Sequence, residues 1–290
     1  MLLHDIARDE GCAVRSLMSV GHTRPIPPWS LLTALTMWIA GVAPVLGQEP
    51  DPVERGRAIA EEADARSRGF GDYRVRMTMV LRDGRGREAQ RELELWVLEV
   101  SAAEERSLVR FERPPDIRGT ELLTYSYDDR DDEQWLYLPA LRRAKRISAT
   151  GRSSPFVGSE FAYEDLVRSS IEEYRYRFIA EEELDGVRSF VIDRYPTYEG
   201  TGYSKQRVWI DRAEYRVVRI DFWDLRGREL KTLVFRDYER YLDEFWEPGE
   251  AVMSSRVTGA STLLEWTGYQ FRTDLTEGQL SRGALGRPNE

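Results

Sequence analysis

From Asp72 onward, apolar and polar residues alternate with a period of two. In 72–81, Tyr73, Val75, Met77, Met79 and Leu81 fall on one side, and Arg74, Arg76 and Thr78 fall on the other. Successive side chains of a strand point to opposite faces, so this pattern predicts a half-buried strand. Residues 91–98 return with Leu93, Leu95 and Val97 opposite Trp96. The same reading predicts strands over 107–112, 120–127, 134–138, 174–181, 187–195, 205–210, 215–223, 229–238, 252–258 and 262–272. Between them stand Asp83-Gly84-Arg85-Gly86, Asp185-Gly186, Asp224 to Gly227 and Pro248-Gly249, where Gly tolerates the positive φ of tight hairpins. About eleven strands at regular spacing, with no helix between neighbours, imply an antiparallel sheet.

Two segments break the alternation. Asp51-Pro52-Val53-Glu54 puts an acid at a helix N-cap, Pro at the first helical position and Glu three residues after the cap. A helix is predicted from there to about Arg66, with Val53, Gly56, Ile59, Ala60 and Ala63 on one narrow face. Pro139 to Leu166 carries a basic run, a Ser/Gly-rich stretch and a short helical piece around 160–167. A sheet this large curls. The predicted fold is mainly β: a strongly curved antiparallel half-barrel, with the N-terminal helix and the short helical insertion plugging its concave apolar face. The outer face is expected to meet water, and 281–290 to fray.

Upstream, Trp29 to Gly47 is apolar and uncharged, Arg24 precedes it, and Val45 and Gly47 resemble a signal-peptidase site. Residues 1–47 therefore read as a secretory signal, with Met18 as an alternative start, and 48–290 as one domain. A retained membrane anchor is the competing reading.

This segment holds His4, His22 and Cys12, the only histidines and cysteine of the chain. Its removal leaves no His-dependent nucleophilic catalysis, no His or Cys metal site and no disulfide. With Lys+Arg 42 against Asp+Glu 51, the acidic balance argues against nucleic acid as a partner.

Leu141 to Ile147 contains Arg142, Arg143, Lys145 and Arg146, a solvated run or a contact for anionic headgroups or an acidic partner. Asp128 to Glu133 is acidic, but Arg130 interrupts it and no Gly follows, so it reads as a solvated hairpin tip and not a calcium loop. No nucleophile elbow, Ser-x-x-Lys pair, P-loop or dinucleotide fingerprint occurs. No enzyme and no cofactor are expected.

A series of motifs resembles a known family. Phe111-Glu-Arg-Pro114, Ile117-Arg-Gly-Thr120, Gln134 to Ile147, Gly158-Ser-Glu-Phe161-Ala-Tyr-Glu-Asp165, Tyr203-Ser-Lys205, Trp209-Ile-Asp211, Lys231-Thr232 and Trp246-x-Pro248 together are similar to the outer membrane lipoprotein-sorting proteins, the LolA-like half-barrels. The resemblance covers about residues 55–285. It implies a curved half-barrel around an apolar cavity, and a periplasmic carrier of lipid or lipoprotein acyl chains, in some members linked to resistance–nodulation–division (RND) transporters. Two departures stand out. No lipobox cysteine follows the signal, so a soluble protein is expected. No aromatic residue precedes Thr276 in the C-terminal segment.

In the carrier reading, inward faces supply a ligand-binding lining: Met77, Met79, Leu93, Leu95, Val97, Leu123, Tyr125, Trp135 and Tyr137, with Phe156, Phe161 and Tyr163 as gate. The alternative is an interaction module with a filled core, docking a transporter or envelope assembly through Arg142, Arg143, Lys145 and Arg146.

Overall fold

The computed structural model describes residues 50–287. The signal segment, Met18 and the boundary at residue 47 lie outside the described residues. Helix α1 (Pro52–Arg66) begins as its cap predicts, with the Asp51 side chain accepting from the Val53 N–H. Its small-residue face has a specific use. A Cβ on Gly56 would lie 2.6 Å from the backbone nitrogen of Phe178, so only glycine lets the helix approach a strand this closely.

The strands are β1 (Asp72–Arg82), β2 (Glu88–Ser101), β3 (Glu104–Arg113), β4 (Glu121–Tyr127), β5 (Glu133–Leu138), β6 (Arg143–Arg146), β7 (Tyr174–Leu184), β8 (Val187–Pro196), β9 (Tyr203–Asp211), β10 (Val217–Asp224), β11 (Glu229–Arg236), β14 (Glu250–Ser255) and β15 (Ser261–Phe271), with β12 (Glu239–Tyr241) and β13 (Phe245–Glu247) forming a separate hairpin. The main sheet has 13 strands in the order β6-β5-β4-β3-β2-β1-β15-β14-β11-β10-β9-β8-β7 and does not close into a barrel. Every pairing is antiparallel. Three strands escaped the sequence reading. β6 is Arg-Ala-Lys-Arg and offers no apolar alternation, while β12 and β13 have 3 residues each.

The topology is two meanders. One runs outward from β1 to β6, and the other runs back from β7 to β15, which pairs with β1 in the middle of the sheet. Residues 147–173 connect the two outer edges and so must cross the sheet. They cross on the inner side, where Phe156, Phe161 and Tyr163 join the main core beside Met79, Phe111, Ile192 and Leu233. The predicted insertion thus plugs the concave face.

The convex face departs from expectation. Trp96, Leu108, Leu123 and Trp135 form an apolar patch there, covered by Leu275 and Leu280 of the C-terminal segment. The Tyr125 hydroxyl donates to the Leu280 carbonyl at 3.1 Å, and the Gly286 N–H donates to Glu121 at 2.8 Å. The tail is packed to its last described residues and is not frayed. Leu275, the residue before Thr276, is buried in this patch in place of an aromatic.

Candidate functional site

Cross-strand register decides which predicted lining residues share a face. Met77 pairs with Leu93, Leu93 with Phe111, and Val75 with Leu95, so these belong to the concave side. Trp96 pairs with Leu108, Leu108 with Leu123, and Leu123 with Trp135 on the opposite side. Leu123, Tyr125, Trp135 and Tyr137 therefore face outward, under the C-terminal segment, and do not share a lining with Met77. The reason is phase: in β4 the inward residues are Leu122 and Thr124, and in β5 Gln134 and Leu136. Nearly every residue of β4 is buried, so hydrophobicity alone does not reveal its facing.

The remaining predicted residues pack more than they line. Met77, Met79 and Leu93 are buried in the main core, and Leu95 and Val97 extend into an aromatic cluster with Phe70, Tyr73 and Phe245. Phe156 stands 5.7 Å from Phe111 and 5.7 Å from Tyr163, ring centre to ring centre. Phe156 and Phe161 are not a loose gate. Of the three, Tyr163 borders a side cavity of about 350 Å³ with Ile117, Leu136 and Leu141.

The crossing segment is pinned by polar contacts. Lys231 donates to Asp165 at 2.6 Å and to the Glu160 carbonyl at 2.9 Å. The Lys231 and Asp165 side chains are 6% and 3% exposed. The Tyr203 hydroxyl donates to the same carboxylate at 2.7 Å, and the Ala162 N–H at 2.7 Å. Glu164 accepts from the Tyr198 hydroxyl and the Gly202 N–H, both at 2.9 Å. Arg91 donates to the Val157 carbonyl at 2.6 Å. The Lys231 ammonium thus has two acceptors and both Asp165 oxygens have donors, as a stable buried ion pair requires.

Beyond this septum the concave face opens. A hollow of about 690 Å³ lies between β8–β11, helix α1, residues 168–171 and the β12–β13 hairpin. Its floor is Ile192, Val208, Ile210, Val217 and Phe235, and Ala60 and Ala63 of α1 form one wall. Val208 pairs with Ile192 on one side and Ile220 on the other, the same period-2 facing that built the sheet. Sequence reading placed the lining on β1–β5. The alternation of β8–β10 carried an equal signal but no Met pair to draw attention.

The opposite wall is aromatic and charged. Trp246 donates to Glu214 at 3.1 Å, and the Arg216 guanidinium sits 4.4 Å from the Trp246 ring centre. The Tyr238 hydroxyl donates to the Val217 carbonyl at 2.6 Å. Glu247 lines the hollow, and desolvation, reinforced by the nearby Glu105 charge, pushes its carboxyl up to about 8. Glu105 itself is raised to about 7, chiefly by burial. The acidic run also turns inward: Asp128 pairs with Arg68 at 2.8 Å and Arg168 at 3.0 Å, and Asp132 is buried and raised to about 6 by desolvation. Asp129 to Asp131 stay exposed at the hairpin tip, whereas Asp128 anchors the crossing through Arg168 and Asp132 accepts the Tyr127 N–H at 3.0 Å.

Glu247 makes a pH prediction. Its ordinary pKa of 4.5 governs the unfolded chain, and about 8 governs the folded one. Between those values the folded state holds the extra proton, so this contribution to stability is present at low pH and is lost as pH rises through about 8. Glu247→Gln should therefore melt several degrees higher than wild type at pH 9 and show little difference at pH 5. An equal shift at both pH values would contradict the assignment.

The basic run forms β6, the outermost strand, with Arg142, Arg143, Lys145 and Arg146 exposed and Arg146 paired to Glu133 at 2.7 Å. Among the described residues no helix is long and apolar enough to cross a membrane, and no His/Cys/Asp/Glu cluster could hold a metal ion.

Known structures share this architecture. An outer membrane lipoprotein-sorting protein domain from Vibrio parahaemolyticus is 41% identical, with a TM-score of 0.79, covering 81% of this chain and 100% of that one. The chain belongs to the outer membrane lipoprotein-sorting protein family. A family model described as an uncharacterized protein matches residues 103–287 of this family member. A DUF1329 family protein from Desulfovibrio piger is 28% identical, with a TM-score of 0.77, over 81% of this chain and 99% of that one. A LolA superfamily protein from Nitrosomonas europaea, 19% identical with a TM-score of 0.64 over 79% and 99% of the two chains, shares the fold. No curated protein matches this LolA-like chain.

Proposed function

We propose that this protein is a periplasmic, non-catalytic carrier that takes the acyl part of a lipid or lipoprotein into the concave hollow for delivery toward the outer membrane. The observation that carries this reading is the hollow of about 690 Å³ itself, floored by apolar side chains in a chain whose relative is a lipoprotein-sorting domain. That volume suits a small apolar ligand, and burying acyl chain gains about 0.8 kcal/mol per CH₂. No cofactor enters the reading.

The test begins with protein exported to a bacterial periplasm and purified without detergent. Organic extraction and mass spectrometry should find lipid in wild type. The double variant Val208→Trp/Ile210→Trp, which fills the floor, should lose it about tenfold while keeping its circular dichroism spectrum. Equal lipid in both would remove the hollow from the reading.

A second reading rests on β6. Its exposed cations suit an acidic partner surface, such as a periplasmic part of an RND-type transporter. Wild-type protein that stays empty after incubation with envelope lipids would favour this docking role, and charge reversal of Arg142, Arg143, Lys145 and Arg146 should then abolish partner pull-down.

A further inference from the structure

The charges around the hollow do not cancel. Five arginines line it: Arg66, Arg168, Arg194, Arg216 and Arg240. Arg66 is held by Glu62 at 2.7 Å and Arg216 by Asp211, and Arg240 is exposed at the rim beside Trp246. Arg194 differs. Its Nε donates to the Gln206 side chain at 2.6 Å and its guanidinium sits 4.6 Å from the Tyr174 ring centre, but among the described residues it has no carboxylate partner. Its two terminal nitrogens are left to the hollow. Arg168 is bonded to Asp128 through one terminal nitrogen, while its Nε and Nη1 are buried with no hydrogen-bond partner. Unmade bonds of a buried guanidinium are costly, and such groups ordinarily find an acceptor.

Four acids line the hollow, and Glu244 and Glu247 make no hydrogen bond or ion pair with either arginine among the described residues. Asp64 is engaged by Arg68 at 2.6 Å and lies 3.9 Å from Arg168, beyond hydrogen-bond reach. Glu214 accepts from Trp246. Gln206, which orients Arg194, is itself buried at 3% exposure, so the Arg194 fork is held from behind. A planar guanidinium with free terminal nitrogens, fixed at the margin of an aliphatic floor, is suited to bidentate recognition of a carboxylate or phosphate.

We infer that the ligand of this hollow is an anionic amphiphile, whose acyl chain lies on Ile192, Val208 and Ile210 and whose carboxylate or phosphate is received by Arg194. This rests on the carrier reading and narrows it to a class of ligand. A neutral glyceride of the same chain would fill the floor but leave the Arg194 fork without an acceptor.

The experiment measures binding of palmitate, hexadecyl phosphate and neutral monopalmitoylglycerol to the delipidated wild-type protein, below micelle-forming concentrations, through tryptophan fluorescence and native mass spectrometry. At least one anion should bind about tenfold more tightly than the neutral probe. Preference for palmitate points to a fatty acid, and preference for hexadecyl phosphate to a phosphate ester. Arg194→Met, which keeps the apolar stem, should weaken the anion about tenfold and leave the neutral probe unchanged. Equal binding of all three probes overturns the headgroup assignment and leaves the carrier reading standing. Binding of none overturns both. Equal loss of anion and neutral probe in Arg194→Met would assign that residue to packing and remove it from recognition, and the comparison across headgroups in wild type needs no variant to fold.

Discussion

Lys231→Met is expected to lower unfolding free energy by about 3–5 kcal/mol in a urea titration, the usual scale for removing one partner of a buried ion pair. The Asp165 carboxylate would keep the Tyr203 hydroxyl and the Ala162 N–H but lose its only cation among the described residues. The Glu160 carbonyl would lose its lysine donor as well. The pair lies where residues 147–173 cross the sheet, so the effect should spread to that whole segment and be visible as faster amide exchange there. Lys231→Met combined with Asp165→Leu should recover much of the loss, because two apolar residues leave no orphaned charge. A single variant within about 1 kcal/mol of wild type would mean the pair does not hold the crossing.

The second large effect lies on the other side of the sheet. Leu280 is fully buried among Trp96, Leu108, Leu123 and Trp135. Leu280→Asp should remove its packing and put a carboxylate against indole rings, at about 3–5 kcal/mol and on the order of 10 °C in melting temperature. Release of the segment should free its backbone for trypsin cleavage at the already exposed Arg282 before the sheet is cut, and shift tryptophan emission to the red. Unchanged trypsin resistance would show that the segment is held by other contacts, such as Arg106 with Glu277 at 2.9 Å.

Much of this fold is legible in the sequence because period-2 alternation is a direct image of a two-faced sheet. The helix start, the Asp-x-x-Gly hairpins and the plugging insertion each have a local chemical cause. Asp83 and Asp224, for example, both accept two backbone N–H groups of their own turn. Facing was not legible where both faces are covered. β4 reads Glu-Leu-Leu-Thr-Tyr-Ser-Tyr with almost no exposed position, and nothing local says that Leu122 points in and Leu123 out. That knowledge lies in a segment about 150 residues downstream, which covers one of the two sides. The hollow was hidden for a related reason. A void is set by what fails to fill the space, and here Ala60 and Ala63 leave it open while Phe156 and Phe161 fill the space beside Phe111.

The pairing of the first strand with the last has a kinetic meaning. Tyr73 meets Phe271 and Arg82 meets Ser261 across the centre of the sheet. Loop closure over such a separation is entropically costly, and high contact order slows folding. Each meander can zip along its own hairpins, but neither can be joined to the other until the final strand is synthesised. A chain threaded N-terminus first through a pore would therefore emerge almost entirely before its sheet could be joined. During that interval β1 exposes an unpaired edge, which makes the passage, more than the finished molecule, the moment at which a chaperone matters.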